Sequence, residues 1–218
     1  QGYDVVGVYM KNWSQDLPGF QCPWKEDYQD AKRVAVQLGI DFKMYDFEKE
    51  YRQKVVDYMI DEYKAGRTPN PDIMCNQEVK FKLFLNTALE DGADYIATGH
   101  YARIWHSSDE HRVVAASSAP SPSPVDGSVR ASSAPSAAAS DAHQHGAKLL
   151  VGVDGNKDQS YFLYRVTQDA LEHSLMPIGE YEKPKVRQLA KKLGLATADK
   201  KDSQGICFVG KVGIREFL

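Results

Sequence analysis

Two cysteines lie in sequence contexts that could support nucleophilic chemistry, and the first is Cys75. It ends the string Pro69-Asn-Pro-Asp-Ile-Met-Cys75, in which two prolines restrict the backbone and Asp72 precedes the thiol by three residues. We expect Cys75 at the start of a helix, where unpaired N–H groups favour a thiolate, and Asp72 to exchange a proton with whatever that thiolate attacks. A proline-rich turn with a cysteine that only packs is the alternative, and this segment alone slightly favours it.

The second cysteine, Cys207, follows a glycine in the polar loop Asp202-Ser-Gln-Gly-Ile-Cys207. A polar loop makes a thiol reachable, whereas the following Phe208 and Val209 suit a strand that enters the core. The loop alone does not decide between these two settings. Basic residues recur nearby, at Lys191, Lys192, Lys200 and Lys201.

Two further polar segments follow predicted strands. Ala97-Thr-Gly-His100 ends one strand, and ligands of open α/β sheets bind beyond such carboxyl ends. A turn glycine and an internally bonded histidine would explain the same string. The cluster Asn156-Lys-Asp-Gln-Ser160 offers donors for phosphate or ribose, although an ordinary loop also accounts for it.

The elements that position these residues alternate between strands and helices. Apolar runs predict strands at 3–10, 41–46 and 95–98, and helical spacing predicts helices at 27–38, 48–65 and 76–91. This alternation predicts a doubly wound parallel sheet of the α/β class. From Thr167 onward we expect helices again.

Residues 107–146 break the pattern, because they are rich in Ser, Ala and Pro and hold few large apolar residues. Such a segment buries too little surface to offset its ordering entropy, so we predict a disordered insert. Its flanks, 101–105 and 148–153, resemble the two strands of a hairpin.

The composition excludes several classes of protein. The 218 residues carry a net charge of -3, which argues against a generally basic nucleic-acid binder. Three cysteines are too few for a disulfide-built domain, and none has the spacing of a zinc site, so we expect no metal ligands in the protein. No apolar run is long enough to cross a bilayer.

Taken together, the motifs resemble one family, the tRNA-specific 2-thiouridylases of bacteria and mitochondria. The matching strings are Tyr9-Met-Lys-Asn-Trp13, Gly66-Arg-Thr-Pro-Asn-Pro-Asp72, Cys75-Asn76, Lys80-Phe-Lys82, Ala97-Thr-Gly-His-Tyr101, Lys157-Asp-Gln-Ser-Tyr-Phe-Leu163 and Gly205-Ile-Cys-Phe-Val-Gly210. The resemblance implies an adenine-nucleotide alpha-hydrolase-like, Rossmann-like fold. It divides the chain into a catalytic domain at 1–106, the insert at 107–146, the rest of the catalytic domain with a central helical region at 147–210, and the start of another domain at 211–218.

The resemblance also implies a role for each site residue. Cys75 would be the nucleophile, Cys207 the carrier of a persulfide, and Asp72 would handle a proton. Those that would contact ATP are Met10 and Gly99. Those that would surround the target uridine are Asn70, Pro71 and Asp72, and those that would contact tRNA are His100, Lys157, Asp158 and Gln159.

The implied reaction explains why two distant cysteines are needed. ATP, with Mg²⁺, would adenylate the C2 carbonyl oxygen of a wobble uridine, so that AMP becomes the leaving group. The Cys207 persulfide would then attack the activated carbon, or Cys75 would cleave the persulfide to release sulfide. Both routes end in a Cys75–Cys207 disulfide. The implied partners are tRNA and a persulfide donor, either a cysteine desulfurase or a sulfur-relay protein.

The chain departs from the family pattern in three respects. The glycine-rich phosphate loop expected before Asp4 and the barrel domain expected after Leu218 are not in the sequence, so we expect this polypeptide alone not to adenylate tRNA. The insert hints at a eukaryotic source and hence a mitochondrial location, with the cytoplasm as the alternative.

A truncated, non-catalytic chain that binds tRNA or the sulfur donor is the alternative function. Another ATP pyrophosphatase, such as an amidotransferase partner, fits the paired cysteines less well.

Overall fold

The computed structural model describes residues 2–16, 22–106 and 146–200. Two predictions therefore lie outside the described residues: the insert at 107–146, apart from Gly146, and the loop that carries Cys207. The segment predicted to begin another domain, 211–218, lies outside them as well.

The first unit of the fold is a strand, a helix and a second strand. Strand β1 (Val6–Lys11) pairs in parallel with β2 (Asp41–Asp46), and α1 (Trp24–Leu38) connects them. Helix α1 ends at Gly39, whose φ of 68° is in the left-handed region that glycine adopts without strain. The predicted parallel arrangement is confirmed here.

Two long helical runs follow, and each contains a π-helical segment. The first run consists of α2 (Glu48–Tyr51), a first π segment (Arg52–Asp57) and α3 (Tyr58–Lys64). The second consists of α4 (Pro71–Met74), a second π segment (Cys75–Phe84) and α5 (Leu85–Glu90). The expected start of the second helix at Asn76 is wrong by five residues, because the helix already begins at Pro71.

A second parallel pair and a hairpin complete the sheets. Strand β3 (Ile96–Ala97) pairs in parallel with β6 (Ser174–Leu175), whereas β4 (Ala102–His106) and β5 (Ala147–Val151) form the predicted antiparallel hairpin. Strand β6 was not predicted from the sequence, because two residues are too short to show any periodicity. Between β5 and β6 lie a 3₁₀ turn (Ser160–Phe162) and α6 (Gln168–Glu172), and α7 (Lys183–Lys192) follows β6.

The core lies between the helical runs and the strands. Its fully buried side chains come from the first run, the second run and the segment after the 3₁₀ turn: Tyr51, Val55, Val56, Met59, Val79, Leu85 and Leu163. Both π segments therefore face the interior, which holds the Cys75 helix firmly against the rest of the fold. No helix in the described part of the chain is long and apolar enough to cross a membrane.

Candidate active site

The turn before α4 is fixed by its own side chains. Asn70 is the N-cap of α4, and its Oδ1 accepts hydrogen bonds from the backbone N–H groups of Asp72, at 3.1 Å, and Ile73, at 3.2 Å. Pro71 occupies the first helical turn, where its missing N–H costs nothing. Asn70 is exposed and Pro71 is buried, so the motif presents one polar side chain from an anchored backbone.

Asp72 and Cys75 lie three residues apart on one helical run, so they occupy neighbouring positions on the same face. Cys75 is only 1% exposed, whereas Asp72 is half-buried. Burial raises the pKa of Asp72, and the positive charge of Lys80 offsets part of this effect. The direction of this shift favours a role for the Asp72 carboxyl in proton transfer.

The expected reason for thiolate formation at Cys75 needs correction. Because the helix begins at Pro71, Cys75 stands beyond the first helical turn, and the side chain of Asn70 already satisfies two of the N-terminal N–H groups. The favourable field of a helix N-terminus falls off within that first turn. The π segment that begins at Cys75 is instead the local feature that distinguishes its position, and π-helical turns are frequent at functional sites.

His100 is held below the surface beside the same helical run. Its ring lies 5.6 Å from the ring of Phe81, and its Nδ1 is 2.8 Å from the hydroxyl of Thr98. Burial, assisted by the positive charge of Lys80, lowers the pKa of His100 to about 3. The imidazole is therefore neutral at physiological pH, and the predicted tRNA contact would have to be a hydrogen bond rather than an ion pair.

The segment 157–159 is fixed by hydrogen bonds within the protein. The Asp158 carboxylate accepts from Gly152 N at 2.7 Å and from the Ser160 hydroxyl at 2.7 Å. Burial acts to raise the pKa of Asp158, but these hydrogen bonds outweigh it and lower the pKa overall. Gln159 Oε1 accepts from Tyr101 N at 3.0 Å. Asp158 and Gln159 thus shape the loop, whereas the neighbouring Lys157 is exposed.

Two glycines allow this loop to approach the hairpin. A Cβ at Gly152 would lie 2.6 Å from the Tyr101 carbonyl oxygen, and one at Gly179 would lie 1.8 Å from that of Ala102. Both distances are too short for any other residue type, so β4, the loop at 152–160 and the turn at Gly179 form one closely packed unit.

The residues expected to contact ATP lie at the carboxyl ends of two different parallel strands. Met10 is near the end of β1, and Gly99 is exposed just after β3. Asn12, which follows β1, has a buried Oδ1 that no hydrogen-bond donor of the described chain reaches. An unsatisfied buried acceptor is costly unless a ligand supplies the donor, so the carboxyl end of β1 fits a bound nucleotide.

Cys22 lies in a different environment from Cys75. Its Sγ lies 3.7 Å from the Trp13 carbonyl oxygen, and burial raises the pKa of its thiol. A raised pKa disfavours the reactive thiolate. Cys207 lies outside the described residues. In the described residues no group of three or more His, Cys, Asp or Glu side chains is arranged to hold a metal ion.

Two residues of this site, Lys80 and Asn76, were not predicted as site residues from the sequence. Lys80 influences the pKa values of both Asp72 and His100, and only its place in the string Lys80-Phe-Lys82 hinted at it. Asn76, next to Cys75, is 3% exposed and donates from Nδ2 to the Phe162 carbonyl oxygen at 3.3 Å. The only sign of Asn76 in the sequence was its place directly after the candidate nucleophile Cys75.

Comparison with known proteins agrees with the resemblance. The sequence profile of the tRNA methyl transferase HUP domain matches residues 1–122 and 129–211. The strings that contain Tyr9, Asn70 and Cys75 fall within these ranges, as does Cys207. The HUP domain is an α/β fold of the Rossmann-like type, which agrees with the parallel strands described above.

Three similar relatives are bacterial proteins, each named a tRNA-specific 2-thiouridylase. Those of Bacillus pumilus and Listeria monocytogenes are 47% identical to this chain, and that of Lactococcus lactis is 45% identical, in each case over 218 residues. The alignments cover 100% of this chain and 49% of each relative. The chain thus spans about half the length of the relatives it matches.

The mitochondrial location expected from the insert is wrong. The similar relatives come from bacteria such as Bacillus, Lactococcus and Listeria, and nothing in the comparison indicates a mitochondrial protein. The composition of residues 107–146 was therefore a poor guide to the source.

The profile match over nearly the whole chain and the order of the shared strings lead to one assignment: the chain belongs to the tRNA methyl transferase HUP domain family, alongside the bacterial tRNA-specific 2-thiouridylases.

Proposed function

We propose that this chain is the catalytic part of a tRNA 2-thiouridylase, a sulfurtransferase that replaces the C2 oxygen of a wobble uridine with sulfur. The observation that carries the proposal is the pairing of Asp72 and Cys75 one helical turn apart on a run that is anchored in the core. The names of the bacterial relatives support the same reaction.

Asp72 and Cys75 divide the chemistry between them. Asp72, whose pKa is raised by burial, would give or take the proton at the reacting uridine. Cys75 would act as a thiolate towards sulfur, because thiolates rather than thiols attack disulfide and persulfide bonds. The near-complete burial of Cys75 keeps water away from that exchange.

Asn70 and Pro71 would hold the target base beside Asp72. The Oδ1 of Asn70 is already occupied by two backbone N–H groups, so a base contact falls to its Nδ2. An amide N–H is a donor, and it suits a carbonyl oxygen of uridine. His100, neutral in the folded protein, can add a hydrogen bond but no charge. Lys157 is the exposed cation among the proposed tRNA contacts.

ATP would bind at the carboxyl ends of the parallel strands, against Met10 and Gly99. The unsatisfied Oδ1 of Asn12 supports a ligand donor at this place. Adenylation makes the uridine C2 oxygen part of AMP, which is a far better leaving group than the free oxygen. Mg²⁺ would accompany the phosphates and neutralise part of their charge.

Sulfur would arrive as a persulfide on Cys207, delivered by a cysteine desulfurase or a sulfur-relay protein. The terminal persulfide sulfur attacks C2 and AMP leaves; the Cys75 thiolate then attacks the Cys207 sulfur and releases 2-thiouridine. The products are the thiolated base and a Cys75–Cys207 disulfide, which external thiols reduce. Direct release of sulfide by Cys75 reaches the same disulfide.

The test is a chimaera in which residues 1–218 replace the matching half of the Bacillus pumilus relative. We expect it to form 2-thiouridine with ATP and a persulfide donor, and Cys75→Ser or Cys207→Ser to abolish the product. Cys22→Ser is the matched control and should leave activity largely intact. Mass spectrometry of the tRNA separates sulfur exchange from methyl addition, and a methylated product would overturn the proposal.

Loss of activity in Cys22→Ser equal to that in Cys75→Ser would remove the distinction between the cysteines. If the chimaera binds tRNA and ATP but forms no 2-thiouridine, the second candidate, a non-catalytic tRNA-binding chain, would replace the first.

A further inference from the structure

The segment after the 3₁₀ turn displays two aromatic side chains in solvent. Tyr161 is 60% exposed and Tyr164 is 68% exposed, which makes them the most exposed aromatic residues in the described part of the chain. Arg165, next in sequence, is also exposed. We call Tyr161, Tyr164 and Arg165 the tyrosine platform. Single exposed apolar residues are ordinary on protein surfaces, so the question is whether this group is organised.

The backbone that carries the tyrosine platform is rigidly held. Leu163, between the two tyrosines, is 1% exposed and anchors the segment in the core. Successive backbone hydrogen bonds of 2.9 to 3.0 Å run from Gln159 to the Tyr101 carbonyl, from Leu163 to Ser160 and from Val166 to Leu163. The ring of Tyr161 lies 4.1 Å from that of Phe162, which limits its rotation. The aromatic faces are therefore presented at little further cost in conformational entropy.

Two contacts place the tyrosine platform beside the candidate nucleophile. Asn76 donates from Nδ2 to the Phe162 carbonyl oxygen at 3.3 Å, and Arg165 Nη1 lies 3.6 Å from Met74 Sδ. Asn76 and Met74 are the two neighbours of Cys75 in sequence. The exposed tyrosines thus border the helix that carries Asn70, Asp72 and Cys75.

Exposed aromatic rings next to a cation, beside the helix that carries the proposed active-site residues, match the chemistry of single-stranded RNA. Unpaired bases stack on tyrosine rings, and the arginine guanidinium contacts a phosphate or stacks on a base plane. A uridine must be unstacked before its C2 carbonyl can be reached, and unstacking leaves its neighbours exposed as well.

We propose that Tyr161 and Tyr164 form a stacking surface for the unpaired nucleotides that flank the target uridine, with Arg165 on the adjoining phosphate. This inference rests on the proposed tRNA substrate, and it adds residues and a mode of binding that the proposed reaction does not require. Stacking on an aromatic ring tolerates any base, so the tyrosine platform would fix the position of the unpaired RNA nucleotides and would not select among bases.

The test titrates the 218-residue chain with a short single-stranded RNA and, in parallel, with unmodified tRNA. Tyr161→Ala and Tyr164→Ala should each weaken binding roughly 5- to 150-fold, the range that base stacking on an aromatic ring spans. Tyr161→Phe and Tyr164→Phe keep the ring and should bind as the unmodified chain does. Tyr95→Ala is the matched control, because Tyr95 is 47% exposed but precedes β3, at the end opposite His100.

Salt dependence separates stacking from charge. The alanine variants of the tyrosines should keep the slope of log affinity against log salt, because stacking releases no counterions, whereas Arg165→Ala should reduce the slope by about 1. Thermal unfolding of the variants excludes loss of the fold. Equal RNA affinity in the unmodified chain and both alanine variants would overturn the platform alone. RNA binding that depends on the tyrosines, together with a chimaera that makes no 2-thiouridine, would overturn the proposed reaction and leave the platform standing.

Discussion

At the scale of single residues, the burial and the neighbours of a side chain determine its protonation and its accessibility, which the residue type alone does not. Asp72 and Cys75 were singled out by their spacing, and the structure keeps them on one helical face. The string Ala97-Thr-Gly-His100 fits either a ligand contact or an internally bonded histidine, and only the family resemblance implied a tRNA contact for His100. Its burial depends on Phe81, which lies nineteen residues earlier, so no local pattern could reveal it.

The buried His100 makes the stability of the protein depend on pH. Its pKa is lowered to about 3 in the folded state, while the unfolded value is near 6.5, so between these values the unfolded chain binds more protons. His100 therefore contributes no pH dependence well above 6.5, and stability falls as the pH drops below it. Between pH 7 and pH 5 we expect a loss of about 2 kcal/mol.

Urea unfolding at both pH values, on the unmodified chain and on His100→Asn, measures this effect. The variant has no imidazole to titrate, so its stability should change less by about that amount. His173 is the comparison, because it is a histidine of the described chain outside this site, and His173→Asn should retain the pH dependence. Identical pH profiles for the unmodified chain and His100→Asn would contradict the neutral, buried state.

At the scale of elements, the pairing of strands could be predicted from the sequence where the strands are long, but not where they are short. The parallel partners β1 and β2 and the hairpin of β4 and β5 followed from apolar runs of five or six residues. Strand β6 has two residues and exists because β3 pairs with it, which is a tertiary cause. The π segments were likewise not predicted, because no residue type in Cys75–Phe84 requires them.

The start of the Cys75 helix was misplaced although its signal was in the sequence. Pro69-Asn-Pro71 was interpreted as a turn, but an asparagine followed by proline is also a typical N-cap and first helical residue. The structure uses it in that second sense. Asn70 therefore has two roles, as the N-cap of α4 and as a proposed contact to the target base, and different substitutions can separate them.

Asn70→Ala removes the acceptor for the Asp72 and Ile73 N–H groups and should lower the free energy of unfolding by about 1 kcal/mol. Asn70→Asp keeps the acceptor and should be close to the unmodified chain in stability, yet it replaces the Nδ2 donor with a negative charge. We therefore expect Asn70→Asp to fold normally and to bind tRNA more weakly. Chemical denaturation and tRNA titration on both variants test this, and equal stability of Asn70→Ala would show that the cap contributes nothing.

At the scale of the whole molecule, strand pairing joins the described residues on the two sides of the insert. Both β3 with β6 and β4 with β5 pair strands from opposite sides of the insert, and the Asn76 side chain bonds to Phe162 across it. We propose on this basis that the first and third segments of the predicted domain division form a single catalytic domain.

Cleavage within the insert tests this unit. With a protease site engineered between residues 107 and 145, the two products should co-elute in size-exclusion chromatography and separate only in denaturant. The same site engineered at Gly92, in the turn after α5, is the control for nicking a loop between elements that are adjacent in sequence. Separation of the products under native conditions would show that the segments are independent.

The charge of the whole molecule sets how it would meet tRNA. The net charge is -3, so any attraction to RNA must come from a local surface, and α7 provides one with Lys183, Lys185, Arg187, Lys191 and Lys192. Lys191 is paired with Asp199 at 2.7 Å, whereas Lys185 and Lys192 are exposed and make no ion pair among the described residues. These two lysines are the ones best able to exchange counterions for phosphates.

We therefore expect the affinity of the chain for tRNA to be weak at physiological salt and to fall steeply as salt is added. Lys185→Ala and Lys192→Ala should each reduce the slope of log affinity against log salt by about 1, because each removes one phosphate contact. Lys64→Ala is the control, since Lys64 is exposed at the end of α3, on a different helix, and pairs with Asp61. Tight binding that salt does not weaken, or a slope unchanged in both α7 variants, would show that this helix is not the electrostatic surface.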